Sequence, residues 1–116
     1  LVLSEVGLGT MMWGSQVGEE EAAAQLKLAF DDFGINWLDT AEMYPTPASP
    51  ESAKQTEEMI GRLLQGRPRD SYKIATKVSG RSSMDWMRAD GAGTKLSGAQ
   101  IKEAVEGSLK RLGTNH

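Results

Sequence analysis

Apolar residues recur along this chain in two rhythms, short runs and longer stretches at helical spacing, and the two alternate from one end to the other. Val2 to Leu8 mixes apolar residues with Glu5 and glycine, a weak strand pattern, and runs into the glycine-spaced turn Gly7-Leu8-Gly9-Thr10-Met11-Met12-Trp13-Gly14. Gly18 opens a first helix whose initial turn holds Glu19, Glu20 and Glu21, where the helix dipole favours acids. Ala22, Leu26, Ala29 or Phe30, and Phe33 follow as its apolar stripe, and Gly34 is placed to stop it. Ile35 to Asp39 reads as a second strand. After Tyr44 the loop Pro45-Thr46-Pro47-Ala48-Ser49-Pro50 can continue neither strand nor helix.

The second helix carries Met59, Ile60, Leu63 and Leu64 on one face. Its start is Ser52-x-x-Gln55 as a capping box, or Thr56, and Gly66 and Pro68 end it. Gly61 lies inside it at a cost of about 1 kcal/mol relative to alanine, which predicts close packing against a neighbour. Tyr72 to Val78 is the third strand, apolar in its middle, with Lys77 emerging at its end. Ser79 to Leu96 is long for a connection and reads as a substrate-side lid. Ser97-x-x-Gln100 opens a third helix with Ile101, Ala104, Val105, Leu109 and Leu112 at helical period up to Gly113. Strands alternating with amphipathic helices predict an α/β fold with a parallel sheet and right-handed crossovers, as in a doubly wound fold or a barrel.

Composition narrows the function classes. At 116 residues the chain suits one domain, and 39% hydrophobic with 25% charged residues argues against disorder. A net charge of −3 offers no basic footprint for nucleic acid, and no apolar run is long enough to span a membrane. The absence of cysteine excludes disulfides and thiolate metal sites and fits a reducing cytoplasm, the expected location. The glycine turn fails the dinucleotide fingerprint, since its third glycine falls two positions late, and no Lys-Ser/Thr follows for a Walker loop.

Chemistry concentrates at the ends of the second and third strands, which share one face of a parallel sheet. Asp39, Tyr44 and Lys77 belong together there. A tyrosine is a weak acid at neutral pH unless a cation stabilises its phenolate. Lys77 supplies a cation, and Asp39 holds that ammonium charged, so the three form a relay able to give a proton to an oxygen on which negative charge develops.

The glycine turn 7–14, Leu38-Asp39-Thr40-Ala41-Glu42-Met43-Tyr44, Ile74-Ala75-Thr76-Lys77-Val78 and Ser108-Leu109-Lys110-Arg111-Leu112-Gly113-Thr114, in that order, resemble the aldo-keto reductase superfamily. The proline loop and the Thr56-Glu57 to Ile60-Gly61 segment are most similar to its bacterial Tas-like branch. The resemblance implies a (β/α)8 TIM barrel, of which residues 1–116 are the amino-terminal part, about three βα units truncated before strand four. It implies NADPH as cofactor and reduction of a small aldehyde or ketone by hydride transfer. By the same resemblance Tyr44 is the proton donor, Lys77 lowers its pKa, and Asp39 pairs with Lys77 near the nicotinamide ribose. Gly9, Thr10 and Met11 border the cofactor, and Trp13 lines the substrate pocket. His116 does not match the family's catalytic histidine and is expected to be an ordinary exposed side chain. The loops that hold the cofactor's diphosphate are also expected beyond this segment. Two other functions fit the same barrel: a non-catalytic, NADPH-sensing regulatory subunit, and an inactive fragment.

Overall fold

Three short strands, β1 (Leu8–Gly9), β2 (Trp37–Asp39) and β3 (Lys73–Ala75), form one parallel sheet in that order in the computed structural model, which describes all 116 residues. Leu38 pairs with Leu8 on one side and Ile74 on the other, so the strand ends are level. The ladder continues past the strands. Thr10 N donates to Asp39 O at 3.1 Å, Thr40 N to Ala75 O at 2.9 Å and Glu42 N to Lys77 O at 3.2 Å. The loops at the strand ends therefore leave the sheet in register.

Helix α1 (Glu19–Lys27) crosses from β1 to β2, α2 (Gln55–Leu63) from β2 to β3, and α3 (Gly98–Leu112) comes after β3. The core lies between helices and sheet, where Trp13, Ala22, Leu26, Leu38, Met59, Ile60, Leu64, Tyr72 and Leu112 are buried together. Helix α2 meets α3 at Gly61, where a Cβ would collide with the carbonyl oxygen of Arg111, so the close packing expected of that glycine is present. Gly34 and Gly113 take the left-handed conformation at φ +66° and +67° and stop their helices.

Several boundaries differ from the expected ones, each for a local reason. The first strand shrinks to two residues, and Val2 and Val6 are exposed. Residues before it are tied instead to Asn36, whose Oδ1 accepts from Ser4 N at 2.9 Å. After α1 the backbone makes a π-helical turn (Leu28–Asp32), with Phe33 N donating to Leu28 O at 3.1 Å. The extra residue per turn rotates the chain beyond it, so Ala29 stays in the core while Phe33 is 73% exposed. Ser52 and Gln55 do not form a capping box. Ser52 exchanges hydrogen bonds with Ser49, Gln55 donates to Glu51 O at 2.6 Å, and Lys54 enters the helix from the left-handed region at φ 76°. Ser97 does cap α3, accepting from Gln100 N, but the Gln100 side chain turns back to Lys95 N and Gly93 O. The buried line of α3 is Gln100, Ala104, Ser108 and Leu112, four residues apart. Ile101 and Val105 stand outside it, and Val105 and Leu109 border an apolar groove of about 120 Å3 with Ile74 and Val78 along the open edge of β3.

Candidate active site

Alternation along β2 sends Leu38 into the helix-facing core and Asp39 to the opposite face. Ala75 pairs with Asp39, so two residues further on Lys77 emerges on that same face. Thr76, between them, points the other way and donates its hydroxyl to Glu57 at 2.7 Å. The register of β2 against β3 thus decides that Lys77 and Asp39 meet.

Lys77 Nζ donates to Asp39 Oδ2 at 2.8 Å, to Thr40 O at 2.7 Å and to Tyr44 Oη at 3.5 Å. Its ammonium also lies 5.0 Å from the Tyr44 ring centroid. Partial burial pushes the Lys77 ammonium toward deprotonation, but the hydrogen bond and charge of Asp39, with Tyr44 adding to them, outweigh it and raise its pKa above the usual lysine value. The pair remains reachable from solvent, with 49% of the Lys77 side chain and 39% of Asp39 exposed. Tyr44 is carried by the loop after β2, where its carbonyl accepts from Thr56 N at 3.5 Å, and Thr46 N donates to Met11 O at 3.1 Å. The proline loop is thereby tied to the glycine turn.

In that turn Thr10 is 1% exposed, and its hydroxyl donates to Asp39 O at 2.9 Å, fixing β1 beside the acid. Gly9 has open space where a side chain would stand, and Met11 is exposed next to it. Asp39, Tyr44, Lys77, Gly9, Thr10 and Met11 therefore gather at one end of the sheet. Trp13 does not join them on the accessible face. It is 2% exposed, its indole N–H donates to Gln25 Oε1 at 2.8 Å, and its carbonyl accepts from Thr56 Oγ1, so here it anchors α1 and α2 to the glycine turn. His116 is exposed, as expected. The largest cleft, about 760 Å3, lies between the ends of α2 and α3 and shares no residue with this cluster. No group of three or more His, Cys, Asp or Glu residues is placed to hold a metal.

Two buried ion pairs are not apparent from the sequence. Glu42, 1% exposed, receives both Arg88 amino groups at 2.9 and 2.6 Å and the backbone N–H of Ser79 at 2.7 Å. Burial pushes its carboxyl up, but Arg88 and the Ser79 N–H together hold it below the usual carboxylate range. Glu57 is fully buried and bridges Thr76 Oγ1 to Arg111 Nε, both at 2.7 Å. Glu57 had a legible signal, because it lies one helical turn before Ile60 on the face α2 buries. Arg88 had none, since the segment around it has no period.

A model of the aldo/keto reductase family matches residues 5–116. The chain belongs to the aldo/keto reductase family. Its relatives include Protein tas of Escherichia coli, 44% identical over the whole chain and 33% of that protein. The uncharacterized oxidoreductase YqkF of Bacillus subtilis is 37% identical, again over the whole chain and 33% of its own length. Among solved structures, a candidate aldo-keto reductase from Pseudomonas aeruginosa superposes on all of the chain and 40% of its own, at 36% identity and a TM-score of 0.74. The chain thus spans about a third of the length of the curated relatives it matches. Its three parallel strands and outer helices form the amino-terminal part of the family's TIM barrel. No helix is long and apolar enough to cross a membrane.

Proposed function

We infer that the protein containing this chain reduces an aldehyde or ketone with NADPH, and that Tyr44 donates the proton, Lys77 stabilises the negative charge that remains, and Asp39 holds Lys77. The observation that carries the reading is the three-way contact of Lys77 Nζ with Asp39 Oδ2, Thr40 O and Tyr44 Oη at the level ends of β2 and β3. Two of these contacts are acceptors that keep the ammonium charged and fixed, and the third is the oxygen that would lose the proton.

The residues present fit the nicotinamide and ribose end of a dinucleotide. Asp39 commits only Oδ2 to Lys77 and is partly open to solvent, so its other oxygen is free to accept from a ribose hydroxyl. The open space at Gly9 lets a flat ring approach the backbone, with Met11 alongside, while Thr10 keeps the turn against Asp39. When bound, the reduced cofactor supplies the hydride. The Tyr44 hydroxyl would deliver a proton to a substrate oxygen on which negative charge develops, and Lys77, in contact with Tyr44 Oη, would stabilise the phenolate left behind. General acid catalysis of this kind contributes about 10^2- to 10^4-fold.

The test is consumption of NADPH by the purified natural protein with a panel of small aldehydes and ketones, read as loss of reduced-nicotinamide absorbance. Turnover that depends on both NADPH and the carbonyl compound supports the reading. Cofactor binding without turnover on any of the panel would contradict it.

A further inference from the structure

We propose that Glu42 and Arg88 form a positioning clamp that fastens the 79–96 segment to the loop bearing Tyr44, making the segment a fixed wall beside the proton-donating cluster. The inference rests on the catalytic roles proposed for Tyr44 and Lys77. Glu42 lies between Asp39 and Tyr44 in sequence, and its own N–H donates to the carbonyl of Lys77 at 3.2 Å. A shift of Glu42 therefore moves the backbone of all three residues of the cluster.

The clamp is built to resist such a shift. Both Glu42 and Arg88 are at least 95% buried, the guanidinium grips both carboxylate oxygens, and Ser79 N–H completes the site from the end of β3. Around it the segment is sewn down although it contains neither helix nor strand. Its base closes where Ser82 N donates to Thr94 O at 3.0 Å and Thr94 Oγ1 donates to Gly80 O. Its middle is held where Lys54 Nζ donates to Met87 O at 3.2 Å, with Met87 itself 2% exposed, and Ala89 N reaches Glu103 Oε1 at 2.9 Å. The lid expected from sequence is thus pinned at its base and centre. Burying an ion pair adds little net stability, because desolvation offsets the attraction, whereas its bidentate geometry admits one arrangement. The pair is placed to specify position, and the position it specifies is that of Tyr44 relative to Lys77.

The test uses the natural protein and two variants, with aldehyde turnover, NADPH affinity, thermal stability and trypsin cleavage after the exposed Arg81 and Lys95 as readouts. Glu42→Gln/Arg88→Met removes both charges while keeping similar volume, so neither charge is left buried alone. Arg88→Lys keeps the charge but loses the fork. For the double variant kcat is expected to fall about 10- to 100-fold, the loss that a displacement of around 1 Å inflicts on aligned groups. KM and NADPH affinity should stay within about twofold, since both clamp side chains are buried and offer a ligand no accessible surface. Cleavage after Arg81 and Lys95 should quicken, and Arg88→Lys should fall between the double variant and wild type. Unchanged cleavage would overturn the clamp whether or not the protein reduces carbonyls, so the two readings fail separately. Losses of kcat, KM and cofactor affinity that merely track the fall in Tm would also overturn it.

Discussion

Replacing Gly61 by alanine tests the packing that holds β3, and with it Lys77, in place. In an exposed helix the change would stabilise by about 1 kcal/mol, because alanine is the better helix former. Here the added Cβ would run into the carbonyl oxygen of Arg111, with the carbonyl carbons of Arg111 and Leu112 each at 3.3 Å. Backbone atoms cannot rotate aside, so α3 must move as a unit. Overpacking of this kind costs about 1 to 3 kcal/mol. The move also pulls Arg111 from Glu57, which is fully buried and whose other oxygen holds Thr76, the residue preceding Lys77. Removing one partner of a buried pair costs about 3 to 5 kcal/mol, and partial loosening a fraction of that. The net expectation is a destabilisation of about 2 kcal/mol, once the helix-propensity gain is set against these terms. Gly98→Ala is the control, because nothing lies within 4 Å of a Cβ built there. It should be neutral or slightly stabilising. Urea unfolding of both variants of the natural protein decides the matter, and equal midpoints for Gly61→Ala and wild type would refute the packing argument.

Lys77→Met is expected to reduce turnover at least as much as loss of the proton donor, while costing under about 1 kcal/mol of stability, since the pair with Asp39 is partly open to solvent, which screens it. The folded-state pKa of Lys77 is raised above 10.5, so its small contribution is complete below that pH and disappears as pH rises through the folded value. Urea midpoints of wild type and variant should therefore converge in strong alkali, and a gap that widened there would contradict the assignment. Residues 1–116 expressed alone should self-associate and bind hydrophobic dyes, because Val105, 45% exposed, borders the apolar groove beside the open edge of β3 and Ile101 on the same helix is 39% exposed. A monomeric, cooperatively melting peak on gel filtration would contradict that expectation.

Legibility in the sequence was set by period and by strand-end chemistry. Leu38 and Ile74 stand in apolar runs too short for helices; Asp39 follows Leu38 directly, and Lys77 lies three residues after Ile74, two beyond the residue that pairs with Asp39 and so on the same face. The register that joins them results from pairing those runs in parallel. Met59, Ile60 and Leu64 repeat at helical spacing, and they are buried as that spacing predicts. Features that depend on partners far along the chain were not legible. Phe33 continues the apolar stripe in sequence, and only the π-helical turn before it reveals that it faces solvent. Ser52-x-x-Gln55 has the letters of a capping box, yet Ser49 offers Ser52 a closer partner. Trp13 is expected at the substrate pocket by resemblance, and its burial with the indole N–H on Gln25 of α1 depends on a partner that the sequence around it does not announce. The Glu42–Arg88 pair joins residues 46 apart across a segment with no pattern, so nothing local announces it.

The central claim, that Tyr44 gives the proton beside a lysine held charged, is tested most directly by the Tyr44→Phe variant of the natural protein. Only the hydroxyl is removed, and ground-state binding of cofactor should not depend on it. Single-turnover reduction of an aldehyde and a separate NADPH titration should show kcat lower by at least about 100-fold with Kd within about twofold. A variant that kept more than about a tenth of wild-type kcat would contradict the account.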